Sequence, residues 1–168
     1  HRDLHSFPTR RSSDLKAGEM EVVMGGGRSG ILLHEAMGHS FEADFNRKKT
    51  SIFSDKMGKK IAESFVTIAD DGTIPNNRGS LNIDDEGIPA EKTVLVQNGT
   101  LVSYIHDRIS SKYYNVKPTG NGRRQDFRNV PLPRMRSTYM ENGPHEREEI
   151  ISSVKNGKIG RASCRERV

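Results

Sequence analysis

LLHEAMGHS, residues 32–40, is the stretch on which the reading of this sequence turns. His34 and Glu35 stand side by side, and a second histidine, His39, follows five residues after the first. Two histidines and a glutamate on one helix are the pattern of zinc hydrolases. The usual spacing there is H-E-x-x-H, which sets both imidazoles on one face. This sequence has one residue more. On a straight helix, residues five apart are turned by about 500° and so stand roughly 140° apart, too far round to share an ion. A local π-turn would bring them together again. Gly38, directly before His39, tolerates such a distortion or an outright helix end. Taken alone, the motif leaves two readings: a metal site on a bent helix, or two surface histidines on an ordinary amphipathic one.

Working outward, MEVVM (20–24) predicts a short strand that runs into a glycine turn. Ser29 is placed to cap a helix over Gly30–Asn46, with Ile31, Leu32, Leu33, Met37, Phe41 and Phe45 as its apolar positions. NRKKTSIFSDKMGKK (46–60) reads as a loop or broken helix. SFVTIAD (64–70), KTVLVQ (92–97) and TLVSYIH (100–106) read as strands, the last two joined at Asn98-Gly99, a strong hairpin signal. Residues 115–136 are rich in Gly, Pro and Arg and should be mainly loop. HEREEIISSVKNG (145–157) predicts a helix begun after Pro144 and stopped at Gly157. The expected class is α+β, with the motif helix packed beside antiparallel strands.

The two ends read differently. Codons for residues 5–14 can be written as the reverse complement of those for residues 159–168, from Asp14 with Ile159 without a break to His5 with Val168. Residues 1–15 and 158–168 are therefore expected to be translated sequencing-adapter scars flanking an internal fragment, with no fold of their own. The whole chain has 27 Lys and Arg against 22 Asp and Glu; residues 16–157 have 20 against 19. The basic balance is then no argument for nucleic acid. Cys164 is the sole cysteine and lies in the C-terminal scar, so residues 16–157 bring no thiol to a disulfide or a metal. No apolar run approaches the roughly 20 residues of a membrane helix.

GILLHEAMGHSFEADFNRKKTSIFS (30–54) resembles the signature segment of the TldD/PmbA family of metalloproteases, also called modulators of DNA gyrase. The likeness continues through residues 66–108, through KPTGNGRRQDFRNVPLPRMRSTYM (117–140) and through EEIISSV (148–154), and so covers nearly all of 16–157. It points to the active, TldD-like branch, since the partner branch lacks H-E-x-x-x-H. The resemblance implies zinc held by His34 and His39, with Glu35 as the catalytic carboxylate. The family's third ligand is a cysteine far downstream, in a part this chain does not contain. It also implies a larger two-domain protein, with 16–62 closing the first domain and 63–157 opening the second. Implied too are unstructured peptides as substrates, a related subunit as partner and a cytoplasmic setting. The alternative is a non-catalytic regulatory binding protein of the gyrase-modulator type.

Three further stretches carry expectations. Asp44 is a candidate to orient a ligating histidine through its second ring nitrogen, or else a plain exposed acid. Gly120, Asn121, Gly122, Arg123 and Arg124 form a candidate substrate-lining loop; the Lys-Ser/Thr ending and following helix of a phosphate loop are missing. Asp84-Asp85-Glu86 reads as a solvated acidic turn rather than a second metal site.

Overall fold

The computed structural model describes residues 18–27, 30–155 and 157–160. Its elements run β1 (Glu21–Met24), α1 (Gly30–Ala36), a 3-10 turn (Gly38–Phe41), α2 (Ala43–Arg47), β2 (Ile68–Asp71), β3 (Lys92–Gln97), β4 (Thr100–Leu101), α3 (Arg108–Tyr114), β5 (Gly122–Arg123), β6 (Leu132–Pro133), β7 (Thr138–Met140), α4 (Arg147–Ser153) and β8 (Gly157–Gly160). The architecture is α+β. The main sheet has the antiparallel order β4-β3-β2-β7, and β1 and β8 form a separate parallel pair. The proposed Ser29 cap and residues 1–15 lie outside the described residues.

β3 coincides with its sequence pattern, and the Asn98-Gly99 turn behind it is the type that favours right-twisted hairpins. Both residues have positive φ, 49° and 79°. Gly99 is there for a second reason: a side chain would run into the Ala62 carbonyl. The strand expected over 100–106 is cut short after Leu101. Val102 and Ser103 both donate to the Leu95 carbonyl, at 2.9 and 3.3 Å, so the ladder bulges and the chain turns away. It is then recaptured as Ile105, which bridges in parallel with Glu42.

That bridge also ends the motif helix. Ile105 donates to the Phe41 carbonyl at 3.0 Å and accepts from the Ala43 N–H at 3.1 Å, so these backbone groups serve the bridge and not a continuing helix. The carbonyls freed by the break are satisfied from the side. Asn46 Nδ2 donates to Ser40 and Glu42 at 2.8 and 2.9 Å, and Ser51 Oγ donates to Ser40 at 2.8 Å. The helix expected over Gly30–Asn46 is thus two short helices with a 3-10 turn between them.

Phe41 leads the core, fully buried and stacked on Phe53 with ring centroids 5.0 Å apart. Ile68, Leu95, Val96, Leu101, Tyr104, Ile105 and Met135 complete the cluster. No break in this packing falls near residue 62, since Phe41, Ala43 and Phe53 share the cluster with the strands beyond it.

Residues 158–168 are expected to pack against nothing specific; of these, the backbones of Lys158, Ile159 and Gly160 pair with Val22, Val23 and Met24. Main-chain pairing with an open strand edge asks little of side-chain identity. The acidic turn is solvated only in part, with Asp85 exposed and Glu86 half-buried. Asp84 is buried, and its carboxylate accepts from the N–H groups of Glu86, Ile88 and Gly122 at 2.8 to 2.9 Å.

Candidate active site

α1 carries His34 and Glu35, and the 3-10 turn carries His39. Met37 stands between them at φ −123°, ψ −39°, outside helical geometry, and this single residue resets the direction of the chain. The two imidazoles end up side by side, with ring centroids 4.9 Å apart and planes at 85°. The misalignment of a straight helix is removed by a helix end and a 3-10 turn, with no π-turn. Gly38 contributes space: a side chain there would collide with the buried sulfur of Met135.

His39 does not stand free. Its Nδ1 lies 3.1 Å from Glu42 Oε1, and the other oxygen of Glu42 accepts from Arg134 Nη1 at 3.0 Å. Glu42 is fully buried. Burial pushes its carboxyl above the usual range, while Arg134 and then His39 pull it back and Asp44 adds to the rise. Arg134 is the hub, since its Nη1 also lies 3.6 Å from Asp44 Oδ1 and its guanidinium sits 5.6 Å from the Phe45 ring centroid. The contact to a histidine foreseen for Asp44 is made by Glu42 instead. Asp44 is buried beside the Arg134 guanidinium, and its ion pair is with that group.

His34, His39 and Glu42 line an open cavity of about 480 Å³, together with Arg123, Arg124, Leu132, Arg134 and Met135. His34 also borders a neighbouring cavity of about 830 Å³, which takes in Glu35, Arg78, Arg123, Arg136 and Ser137–Tyr139. Glu35 is exposed on this second face. The loop expected to line a substrate divides. Arg123 and Arg124 reach the cavities, whereas Gly120, Asn121 and Gly122 are buried beneath them. Asn121 Nδ2 donates to Asp70 at 2.7 Å and to the Arg134 carbonyl at 3.1 Å, so it supports the site from behind. Gly120 and Gly122 pack against Pro89 and Glu86. Glu42 was legible in principle, three residues past His39 in a helical pattern; Arg134, 92 positions further on, had no local signal.

The donor set fits zinc as far as it goes. Two imidazoles meet at one cavity, and a buried carboxyl group sits on His39 Nδ1, the arrangement of carboxylate–histidine–metal sites. Among the described residues no third His, Cys, Asp or Glu joins them in a metal-holding group.

Residues 17–159 match the family model described as the PmbA/TldA metallopeptidase C-terminal domain. The chain belongs to the PmbA/TldD family. It is 51% identical over 146 residues to the metalloprotease TldD homolog of Buchnera aphidicola subsp. Acyrthosiphon pisum, covering 87% of this chain and 30% of that protein. Identity to the zinc metalloprotease TldD homolog of Saccharolobus solfataricus is 36% over 148 residues, 88% of this chain and 33% of that one. The crystal structure of TldE from Thermococcus kodakarensis aligns with a TM-score of 0.71 at 29% identity over 84% of this chain and 32% of its own. A Thermotoga maritima structure, whose description concerns a modulator of a DNA gyrase, has the same fold, with a TM-score of 0.75 at 24% identity over 88% of this chain and 33% of its own. The PmbA/TldD chain thus spans about a third of the proteins it matches.

Proposed function

We propose that this chain supplies the histidine pair and the catalytic carboxylate of a zinc metallopeptidase that hydrolyses unstructured peptides. The observation carrying the reading is the break at Met37, which brings His34 and His39 to one cavity and hands Nδ1 of His39 to a buried carboxylate. His34 and His39 would hold the metal, with a third ligand from the rest of the protein, the downstream cysteine of the family resemblance. Zinc, when bound, polarises the scissile carbonyl and acidifies a water. Glu35, beside a ligand but on the face of the second cavity, takes the proton from the attacking water and returns it to the departing amine nitrogen. Glu42 and Arg134 keep the His39 ring oriented throughout.

β7 is an edge strand, and Ser137–Tyr139 border the same cavity as Glu35, which supports a peptide lying as an added strand along that edge. The resemblance extends the reading to a cytoplasmic enzyme paired with a related subunit. Among the described residues, no helix is long and apolar enough to cross a membrane. The test is Glu35→Gln in the intact protein. Cleavage of an unstructured peptide should be lost while zinc content persists, because the carboxylate acts on the water and not on the metal. Cleavage continuing at the wild-type rate would instead favour a regulatory binding role of the gyrase-modulator kind.

A further inference from the structure

Three arginines converge on the cavity beside Glu35. Arg78 comes from the loop after β2, Arg123 from β5 and Arg136 from the approach to β7. Arg123 also borders the histidine cavity, next to Arg124. Among the described residues the arginine ion pairs belong to Arg128, Arg134 and Arg147, and none of the four just named forms one. Arg123, Arg124 and Arg136 are steered by neutral carbonyls instead. Arg123 Nη1 donates to Met135 at 2.8 Å, Arg136 Nε and Nη2 to Gly120 at 3.2 and 3.1 Å, and Arg124 Nη2 to Asp85 at 3.2 Å. A carbonyl positions a guanidinium without cancelling its charge.

The carboxylates behind these arginines are already engaged. Asp70 accepts from Asn121, Thr138 and the Arg136 N–H, Asp84 from three backbone N–H groups, and Asp85 from the Arg124 N–H. Burial, and next the neighbouring Arg123 charge, hold the Arg136 guanidinium below its ordinary value, against the pull of Asp84, Asp70 and Asp85. Like charges side by side at a cavity wall are an arrangement that an incoming anion relieves. Glu35 is the one acidic side chain on that cavity's wall among the described residues.

We infer that Arg78, Arg123 and Arg136 form a carboxylate-binding subsite. The substrate is then a peptide with an acidic group, a Glu or Asp side chain or a C-terminal carboxylate, close to the bond presented to Glu35. This specificity rests on the peptidase reading of the site. The planar fork of Arg suits a carboxylate, and the adjoining edge of β7 suits a peptide backbone. Besides the His34 imidazole the cavity offers a single aromatic ring, Tyr139, which is poor provision for a run of stacked bases.

The experiment measures binding by the full chain without zinc. Three labelled unstructured peptides are compared by fluorescence anisotropy: one with a single Glu and an amidated end, its Gln counterpart, and the Gln peptide with a free C-terminal carboxylate. At least one carboxylate peptide should bind about three- to tenfold more tightly than the neutral one, the range of a partly exposed charge pair. Which of the two gains tells side chain from chain end. The gain should shrink with added salt and in Arg123→Gln and Arg78→Gln. Arg78 lies on an exposed loop, so its variant, with the wild-type salt series, carries the test if Arg123→Gln misfolds.

Equal affinity for charged and neutral peptides overturns the subsite, as does a preference untouched by Arg78→Gln and salt. Tighter binding of a short single-stranded oligonucleotide, lost in the same variants, overturns it in favour of nucleic acid. No cleavage is read, so these failures leave the peptidase reading standing, and the Glu35→Gln assay tests that reading separately.

Discussion

Glu42 is the residue whose removal should separate metal affinity from fold. It makes the carboxylate contact to His39 and lies away from the solvent-facing side of the site. In Glu42→Gln, zinc affinity of the intact protein should fall roughly 10- to 100-fold, the usual effect of losing a carboxylate behind a ligating histidine. Competition with a chelator measures this directly, and unchanged affinity would remove Glu42 from the site. His106 makes a different prediction. It is buried against Tyr104 and Tyr114, and burial pulls its pKa from 6.5 to about 4, with Asp107 opposing. The folded protein therefore keeps this ring neutral where the unfolded chain takes up a proton. Stability from this group is fully present above pH 6.5 and is lost as pH falls towards 4, by about 3 kcal/mol at full effect. His106→Phe, which keeps a ring in place, should flatten the acid limb of a urea-denaturation series between those pH values. In the sequence His106 is only the last residue of the stretch 100–106 read as a strand. Its burial comes from the non-local capture of Ile105 by the Phe41–Ala43 segment, which no local pattern announces.

At the scale of elements, legibility followed the range of the forces. β3 and its turn were readable because alternation and the Asn98-Gly99 pair act locally. α3 passed unnoticed although its caps are plain in hindsight. Asp107 accepts from the Ser110 N–H at 2.7 Å, and Asn115 closes the helix at φ 55°. Apolar residues Val102, Tyr104 and Ile105 ahead of it had been given to a strand, and that assignment hid the helix start. The metal reading requires the motif helix to bend, and it does so at Met37, while the chain beyond His39 is held by the long-range bridge to Ile105. Phe41→Ala should accordingly cost about 3–5 kcal/mol, as for other fully buried aromatics. It should also loosen the His34–His39 approach, visible as weaker zinc binding than in a variant of equal stability made elsewhere in the core. Gly99→Val would force a β-branched residue into positive φ against the Ala62 carbonyl, and thermal unfolding should register a loss of about 2 kcal/mol or more.

For the whole molecule, the chain spans about a third of the relatives it matches, and on the proposed reading it would supply two of the three protein ligands a catalytic zinc site normally has. Alone, it should bind zinc weakly and turn over no peptide. Assay of the purified chain with zinc and an unstructured peptide checks this, and turnover that vanished in Cys164→Ser would show that Cys164 had completed the site. The parallel pairing of Glu21–Met24 with Gly157–Gly160 has a kinetic consequence. Nearly the whole intervening chain must be in place before those backbones meet, so their closure bears the largest loop entropy in the fold and is expected late in folding. In native-state hydrogen exchange the amides of Val22 and Val23 should therefore open at far lower free energy than those of Leu95 and Val96, and this seam should be where the molecule begins to come apart.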